Sequence, residues 1–86
     1  MAWNVVLAKS VEKQFRKVPP SDVRRLLAAF DQMRENPFSG DIAYIKGEDP
    51  PRIRRRVGSW RIFFEVNSKL QRVDITGLAR RTSTTY

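Results

Sequence analysis

The chain has 86 residues, 41% of them hydrophobic and 10% aromatic, with 17 Lys and Arg against 9 Asp and Glu for a formal net charge of +8. This length predicts a single domain over 1–86 with a modest core, since such a chain buries little more than ~60% of the surface it exposes when unfolded, while the apolar content is too high for intrinsic disorder. The sequence contains neither cysteine nor histidine, which excludes disulfides, thiolate metal sites, cysteine nucleophiles and histidine acid–base schemes.

In chain order, residues 3–7 predict a strand with Trp3, Val5 and Leu7 on one face. Ser10 is placed to cap a short helix whose apolar stripe is Val11, Phe15 and Val18. Pro19-Pro20 ends it, Ser21-Asp22 opens a second helix, and Val23, Leu26, Leu27, Phe30 and Met33 supply its buried stripe up to Asn36-Pro37. Residues 42–46 predict a short strand and 47–51 a loop. The tract 52–57 and residues 60–66 then flank Gly58-Ser59, a Gly-X pair suited to a type II′ hairpin turn. Trp60, Ile62, Phe64 and Val66 alternate inward, leaving Arg61, Phe63 and Glu65 on the other face. After Asn67-Ser68, residues 70–77 predict a last strand with Val73 and Ile75 inward, followed by a polar tail. The expected architecture is α+β, in the order β-α-α-β-β-β-β: an antiparallel sheet of four to five strands with an N-terminal helical hairpin packed on one face.

The charge is unevenly spread. Residues 1–45 hold seven basic and five acidic side chains, a net +2, whereas 46–86 hold ten and four, a net +6. Twelve of the cations are Arg, which favours bidentate contacts to phosphate. An anionic partner on the C-terminal half follows, nucleic acid being the commonest, against the plainer alternative of a solvated basic surface. No apolar run approaches the ~18–20 residues of a membrane span and no signal-peptide core opens the chain, so a cytoplasmic protein without membrane attachment is expected.

The tract Arg52-Ile53-Arg54-Arg55-Arg56-Val57 carries the main signal. In a strand, Arg52, Arg54 and Arg56 share one face, with Ile53, Arg55 and Val57 on the other. Cations two residues apart stand about 6.6–7 Å from one another, close to the spacing of phosphates along one nucleic-acid strand. The hairpin brings Arg61 alongside; Arg80 and Arg81 follow the last strand, and Tyr86 adds a phenol. RNA carries its own nucleophile, the 2′-hydroxyl, so a site need only help remove its proton, stabilise the phosphorane charge and protonate the leaving 5′-oxygen. Guanidinium groups suit the middle task and not proton abstraction. Tyr86, with an unperturbed pKa near ~10 that neighbouring cations would lower, is the available acid or base. Lys46 and Arg81 are further candidates for phosphate contact. Glu48, Asp49, Glu65 and Asp74 have no recognisable ligand spacing, so neither metal nor cofactor is expected. Plainer readings stand beside these: Arg55 and Arg72 as ordinary sheet-surface residues, Arg61 as an ion-pair partner of Glu65 or Asp74, Trp60 as core, Tyr86 as a frayed terminus.

The element order, the Ile45-Lys46-Gly47 step, the tract Arg54-Arg55-Arg56-Val57-Gly58-Ser59-Trp60-Arg61-Ile62-Phe63-Phe64-Glu65 and the ending Ala79-Arg80-Arg81…Tyr86 resemble the RelE/ParE superfamily of toxin–antitoxin toxins over nearly the whole chain. RelE-type toxins are ribosome-dependent endonucleases that cut mRNA in the decoding site (the A site). The resemblance implies that the family's basic pair falls on Arg52 and Arg54, the arginine after the turn on Arg61, the next on Arg80 and the tyrosine on Tyr86; Lys46, Arg56 and Arg81 would bind RNA. The basic pair is lysine in the best-known members, so here it would clamp phosphate and leave proton transfer to Tyr86 or the ribosome. An acidic, helical antitoxin is implied as partner, in a 1:1 or 2:2 complex. The resemblance leaves two other readings open, a ParE-like non-enzymatic inhibitor of DNA gyrase on the same fold and a non-catalytic RNA-binding module.

Overall fold

The computed structural model describes residues 2–47 and 51–80. Seven elements follow in order: β1 (Asn4–Leu7), α1 (Lys9–Phe15), α2 (Pro20–Glu35), β2 (Asp41–Ile45), β3 (Arg52–Val57), β4 (Trp60–Asn67) and β5 (Arg72–Arg80). The order is the one expected, and the architecture is α+β.

The Ala8 amide donates to the Ile75 carbonyl at 3.0 Å, so β1 holds its pairing up to the residue where the chain turns into α1. Ala8 therefore occupies the N-cap, without a side-chain cap, and Ser10 lies inside the first turn instead of capping it. α1 buries Val11 and sets Phe15 against Phe30, ring centroids 6.0 Å apart. Val18 is buried too, in the turn beyond the helix. α2 starts with Pro20, whose missing amide costs nothing in the first turn, and carries Asp22 there, favourable at the positive end of the helix dipole. Its buried stripe is Leu26, Ala29, Phe30 and Met33, spaced i, i+3, i+4, i+7. Leu27 falls outside that stripe and is 48% exposed, while Val23 packs only partly buried at its margin. Extended Asn36 ahead of Pro37 ends the helix.

The five strands form one sheet in the order β1-β5-β4-β3-β2. It is mixed, not purely antiparallel: β1 pairs parallel with β5, from Asn4 opposite Arg72 to Leu7 opposite Ile75. The cause is topological. β2 runs opposite to β1, and the three reversals of the β2–β5 meander bring β5 alongside β1 in the same direction. Gly58 takes φ +58° in the two-residue turn between Val57 and Trp60, as a II′ turn requires of its first residue. The last strand begins later and runs further than the pattern suggested. Leu70 is exposed in the turn and Gln71 adopts φ +50°, so pairing starts at Arg72 and extends through Arg80.

The core lies between the helices and one sheet face. Val11, Val18, Leu26, Ala29, Phe30 and Met33 meet Ile53, Trp60, Ile62, Phe64, Val73, Ile75 and Leu78. Fully burying a side chain such as Phe64 or Ile62 contributes about 1.5–3 kcal/mol, so this layer holds the sheet flat against the hairpin. Alternate residues of β3, β4 and β5 face the other way and stay partly accessible; no helix among the described residues covers them.

One irregularity changes which side chains reach that open face. Phe63 pairs with Gly77 and Phe64 with Ile75, which leaves Thr76 as an extra residue in β5. Before this bulge, Arg72 and Asp74 look to the open face. After it the alternation is inverted: Leu78 and Arg80 pair with Ile62 and Trp60 on the helix side, and Gly77 and Ala79 take the open face.

Candidate nucleic-acid interface

β3 alternates buried Ile53 and Arg55 with Arg52, Arg54 and Arg56, so its period-2 geometry sets three guanidinium groups on the open face. The β3–β4 register adds the fourth. Arg56 stands directly opposite Arg61, and Arg54 opposite Phe63. On the far side of β4, Arg61 faces Ala79, too small to cover it. Like charges directly opposite each other on one sheet face repel, and among the described residues the only ion-pair partner of the Arg56–Arg61 pair is Asp41, 3.8 Å from the Arg56 Nε. The Nε atoms of Arg54 and Arg61 are shielded from water without an acceptor among the described residues. A phosphate laid on this end of the sheet would gain charge-assisted hydrogen bonds and relieve the repulsion together.

Arg52 sits differently. Its Cζ lies 5.0 Å from the centroid of the Phe63 ring, and its Nη2 comes close to the backbone of Gly77 on β5. The side chain therefore crosses β4 over an aromatic ring. Beyond it the face turns acidic, with Glu65 opposite Asp74. The ion pair that the sequence left open for Arg61 is taken by Arg72, whose Nε is 2.9 Å from Asp74.

The structure does not gather every expected residue on this face. Arg80, carried past the bulge, lies over Trp60 with Cζ 5.5 Å from the ring, and its Nη2 is 3.8 Å from Asp22 of α2, on the helix side. Trp60 is core. Lys46 is exposed in the turn after β2, next to Ile45, which pairs with Arg52. Arg81 and Tyr86 lie outside the described residues, as do Glu48 and Asp49.

Arg55 is not a surface residue. Only 6% exposed, it donates to the side-chain Oε1 of Gln32 on α2 and, at 3.4 Å, to the Ser39 hydroxyl. Burial, by desolvating the charge, pulls its pKa below the usual arginine value. It faces the helices because alternation in β3 gives it no other direction. Two contributors to the open face carry little signal in the sequence. Alternation places Phe63 on this face without giving it a role, and Gly77 carries only the general signal that a glycine inside a strand marks a bulge or a close approach. Among the described residues no group of three or more carboxylates is arranged to hold a metal ion.

A two-helix layer on one face of a β1-β5-β4-β3-β2 sheet, with arginines on the uncovered face, defines the fold class. No protein-family model matches the sequence and no curated protein matches it. Among solved structures, the chain is similar to one in the archaeal RelE–RelB complex from Pyrococcus horikoshii, at 26% identity and a TM-score of 0.83, covering 98% of this chain and 100% of that one. It is also similar to the isolated Escherichia coli RelE toxin, at 14% identity and a TM-score of 0.70, covering 96% of this chain and 88% of that one. The fold is that of the RelE toxins of toxin–antitoxin systems. These structural neighbours support placing the chain in the RelE-type toxin superfamily.

Proposed function

We propose that this protein, as a single domain over 1–86, is the toxin of a toxin–antitoxin module and a ribosome-dependent mRNA endonuclease acting in the cytoplasm. The observation that carries the proposal is the convergence of Arg52, Arg54, Arg56 and Arg61 on one uncovered sheet face, with Arg56 and Arg61 opposed. Cleavage proceeds by in-line attack of the ribose 2′-oxygen on phosphorus. The O2′–P bond forms, the P–O5′ bond breaks, the 2′-hydroxyl proton leaves to a base and the 5′-oxygen takes up a proton, giving a 2′,3′-cyclic phosphate and a 5′-hydroxyl. Arg54 and Arg61 bind the nonbridging oxygens and stabilise the charge that accumulates on them, an effect worth about 10²–10³ in rate for one preorganised donor. Arg52 clamps the same or the next phosphate, and Arg56, Lys46 and Arg81 hold flanking RNA in the ribosomal A site. Tyr86 is assigned the proton transfers; Arg80 supports the chain leading to it.

An acidic, helical antitoxin fits as partner, since it neutralises the cationic face, in a 1:1 or 2:2 assembly that weakens as salt rises. Inducing the protein alone and mapping mRNA 5′ ends tests the proposal. Codon-linked cuts with 5′-hydroxyl termini, lost in Arg61→Ala and Tyr86→Phe, support it. Intact transcripts with gyrase-dependent DNA breaks would assign the fold's ParE-like activity instead, and RNA binding without cutting would leave a binding module.

A further inference from the structure

Arg52 reaches across two strand positions, and two residues make that reach possible. Phe63 supplies the ring beneath the guanidinium, 5.0 Å from Cζ to centroid. Gly77 supplies bare backbone at its far end. A Cβ on Gly77 would lie 3.2 Å from Arg52 Nη2, 3.2 Å from Phe63 Cδ2 and 3.4 Å from Phe63 Cβ, closer than most side-chain packing allows. Gly77 has no positive φ that would demand glycine for conformational reasons. A side chain there would press on Arg52 and Phe63, and the guanidinium or the ring would have to give way by a few tenths of an ångström. The Thr76 bulge is what brings Gly77 to this spot, because it inverts the alternation of β5 just before it.

We propose that Phe63 and Gly77 form a shelf that fixes the Arg52 guanidinium in one place on the open face, and that both are positioning residues for cleavage; this rests on the RNA-cleaving reading of the same face. The shelf suits arginine in particular. A planar guanidinium stacks flat on a ring, whereas a lysine ammonium is a strongly hydrated point charge that stacks poorly and lacks the terminal Nη2 group lying over Gly77. A guanidinium already held and partly desolvated meets the transition-state charge without reorganising, and displacement by about 1 Å costs on the order of 10²-fold.

The test is a double-mutant cycle on purified protein cutting mRNA on programmed ribosomes, with thermal unfolding followed in parallel. Gly77→Ala is expected to lower the single-turnover rate at saturating ribosome by on the order of 10-fold or more while leaving the half-saturating concentration unchanged. In an Arg52→Lys background, where no Nη2 meets the new Cβ, adding Gly77→Ala should change the rate less than twofold. Phe63→Leu keeps an apolar side chain, avoids any clash at Gly77 and should reproduce the rate loss if Gly77→Ala folds poorly. Equal losses from Gly77→Ala in both backgrounds, or a Phe63→Leu protein that cuts at the wild-type rate, overturn the shelf. If Arg52→Ala itself leaves the rate unchanged, the assignment of Arg52 to the cleavage site fails instead, a result distinct from failure of the shelf.

Discussion

Arg80 and Trp60 pair across β5 and β4, and the Arg80 guanidinium stacks on the indole 5.5 Å from its centroid, on the face of the sheet turned toward the helices. Half-exposed and 3.8 Å from Asp22, Arg80 ties the end of β5 to the first turn of α2. Arg80→Ala should then cost about 0.5–1 kcal/mol of stability and change the environment of Trp60. Its cleavage rate should fall less than that of Arg61→Ala, whose guanidinium is on the open face. Denaturant unfolding followed by tryptophan fluorescence and single-turnover cleavage of the two variants check this. An Arg80 variant as inactive as Arg61→Ala, with unchanged fluorescence, would place Arg80 among the groups that touch RNA.

The Arg56–Arg61 pair leads to the opposite expectation for stability. Directly opposed like charges destabilise a sheet by roughly 0.2–1 kcal/mol. Arg61→Gln should therefore leave the fold equally stable or slightly more stable at low salt, and the difference should shrink as salt screens the pair. Cleavage should still fall on the order of 10²-fold. Urea unfolding at two ionic strengths, paired with cleavage rates, measures both; a clear loss of stability would show that Arg61 is a structural ion-pair partner after all.

Arg55 shows a cation buried for packing. Its guanidinium fills the space beside Gly40, where an added Cβ would lie 2.8 Å from Arg55 Cζ, and Gly40 also takes φ +82°. Gly40→Ala should cost about 1–3 kcal/mol, and less in an Arg55→Met background where the clash is gone. Arg55→Met itself should be neutral or stabilising, because the wild-type charge is desolvated and its partners among the described residues, Gln32 and Ser39, are neutral. The pH dependence has a definite sign. With its folded pKa lowered by burial, Arg55 binds its proton more tightly in the unfolded chain, so wild-type stability rises as pH climbs between the folded and unfolded values. Below that interval the penalty is complete and constant. The advantage of Arg55→Met should be constant at pH values below the folded pKa of Arg55 and narrow as pH rises from there toward the ordinary arginine value, as urea titrations at several pH values would show.

How much of this was legible depended on whether a residue's direction was set locally. Strict alternation in β3 and β4 assigned Arg52, Arg54, Arg56, Arg61 and Phe63 to one face and Ile53, Ile62 and Phe64 to the other, because the strand period is a property of the backbone. The Gly58 turn fixed the register, and with it the opposition of Arg56 and Arg61. Non-local facts were not legible. The bulge at Thr76 exists only relative to β4, and it alone sends Arg80 to the helix side. Arg55 lay on the core-facing side by alternation, yet its burial depends on Gln32 and Ser39, which come from other elements. The parallel pairing of β1 with β5 likewise follows from the path of the whole chain.

The electrostatic part of RNA binding can be separated from catalysis by salt. Each phosphate neutralised on a single strand contributes about −0.7 to the slope of log K against log salt. If Arg52, Arg54, Arg56 and Arg61 each contact a phosphate, a single-stranded RNA oligonucleotide should show a slope near −2.8 from this face. Arg54→Ala and Arg56→Ala should each reduce its magnitude by about 0.7. Arg72→Ala should leave it unchanged, since the Arg72 guanidinium is already paired to Asp74 at 2.9 Å. Fluorescence anisotropy titrations over a range of potassium chloride concentrations give these slopes directly. An Arg72 variant that loses as much slope as Arg54→Ala would extend the RNA path onto the acidic end of the face, and equal slopes for all variants would remove the face from RNA binding altogether.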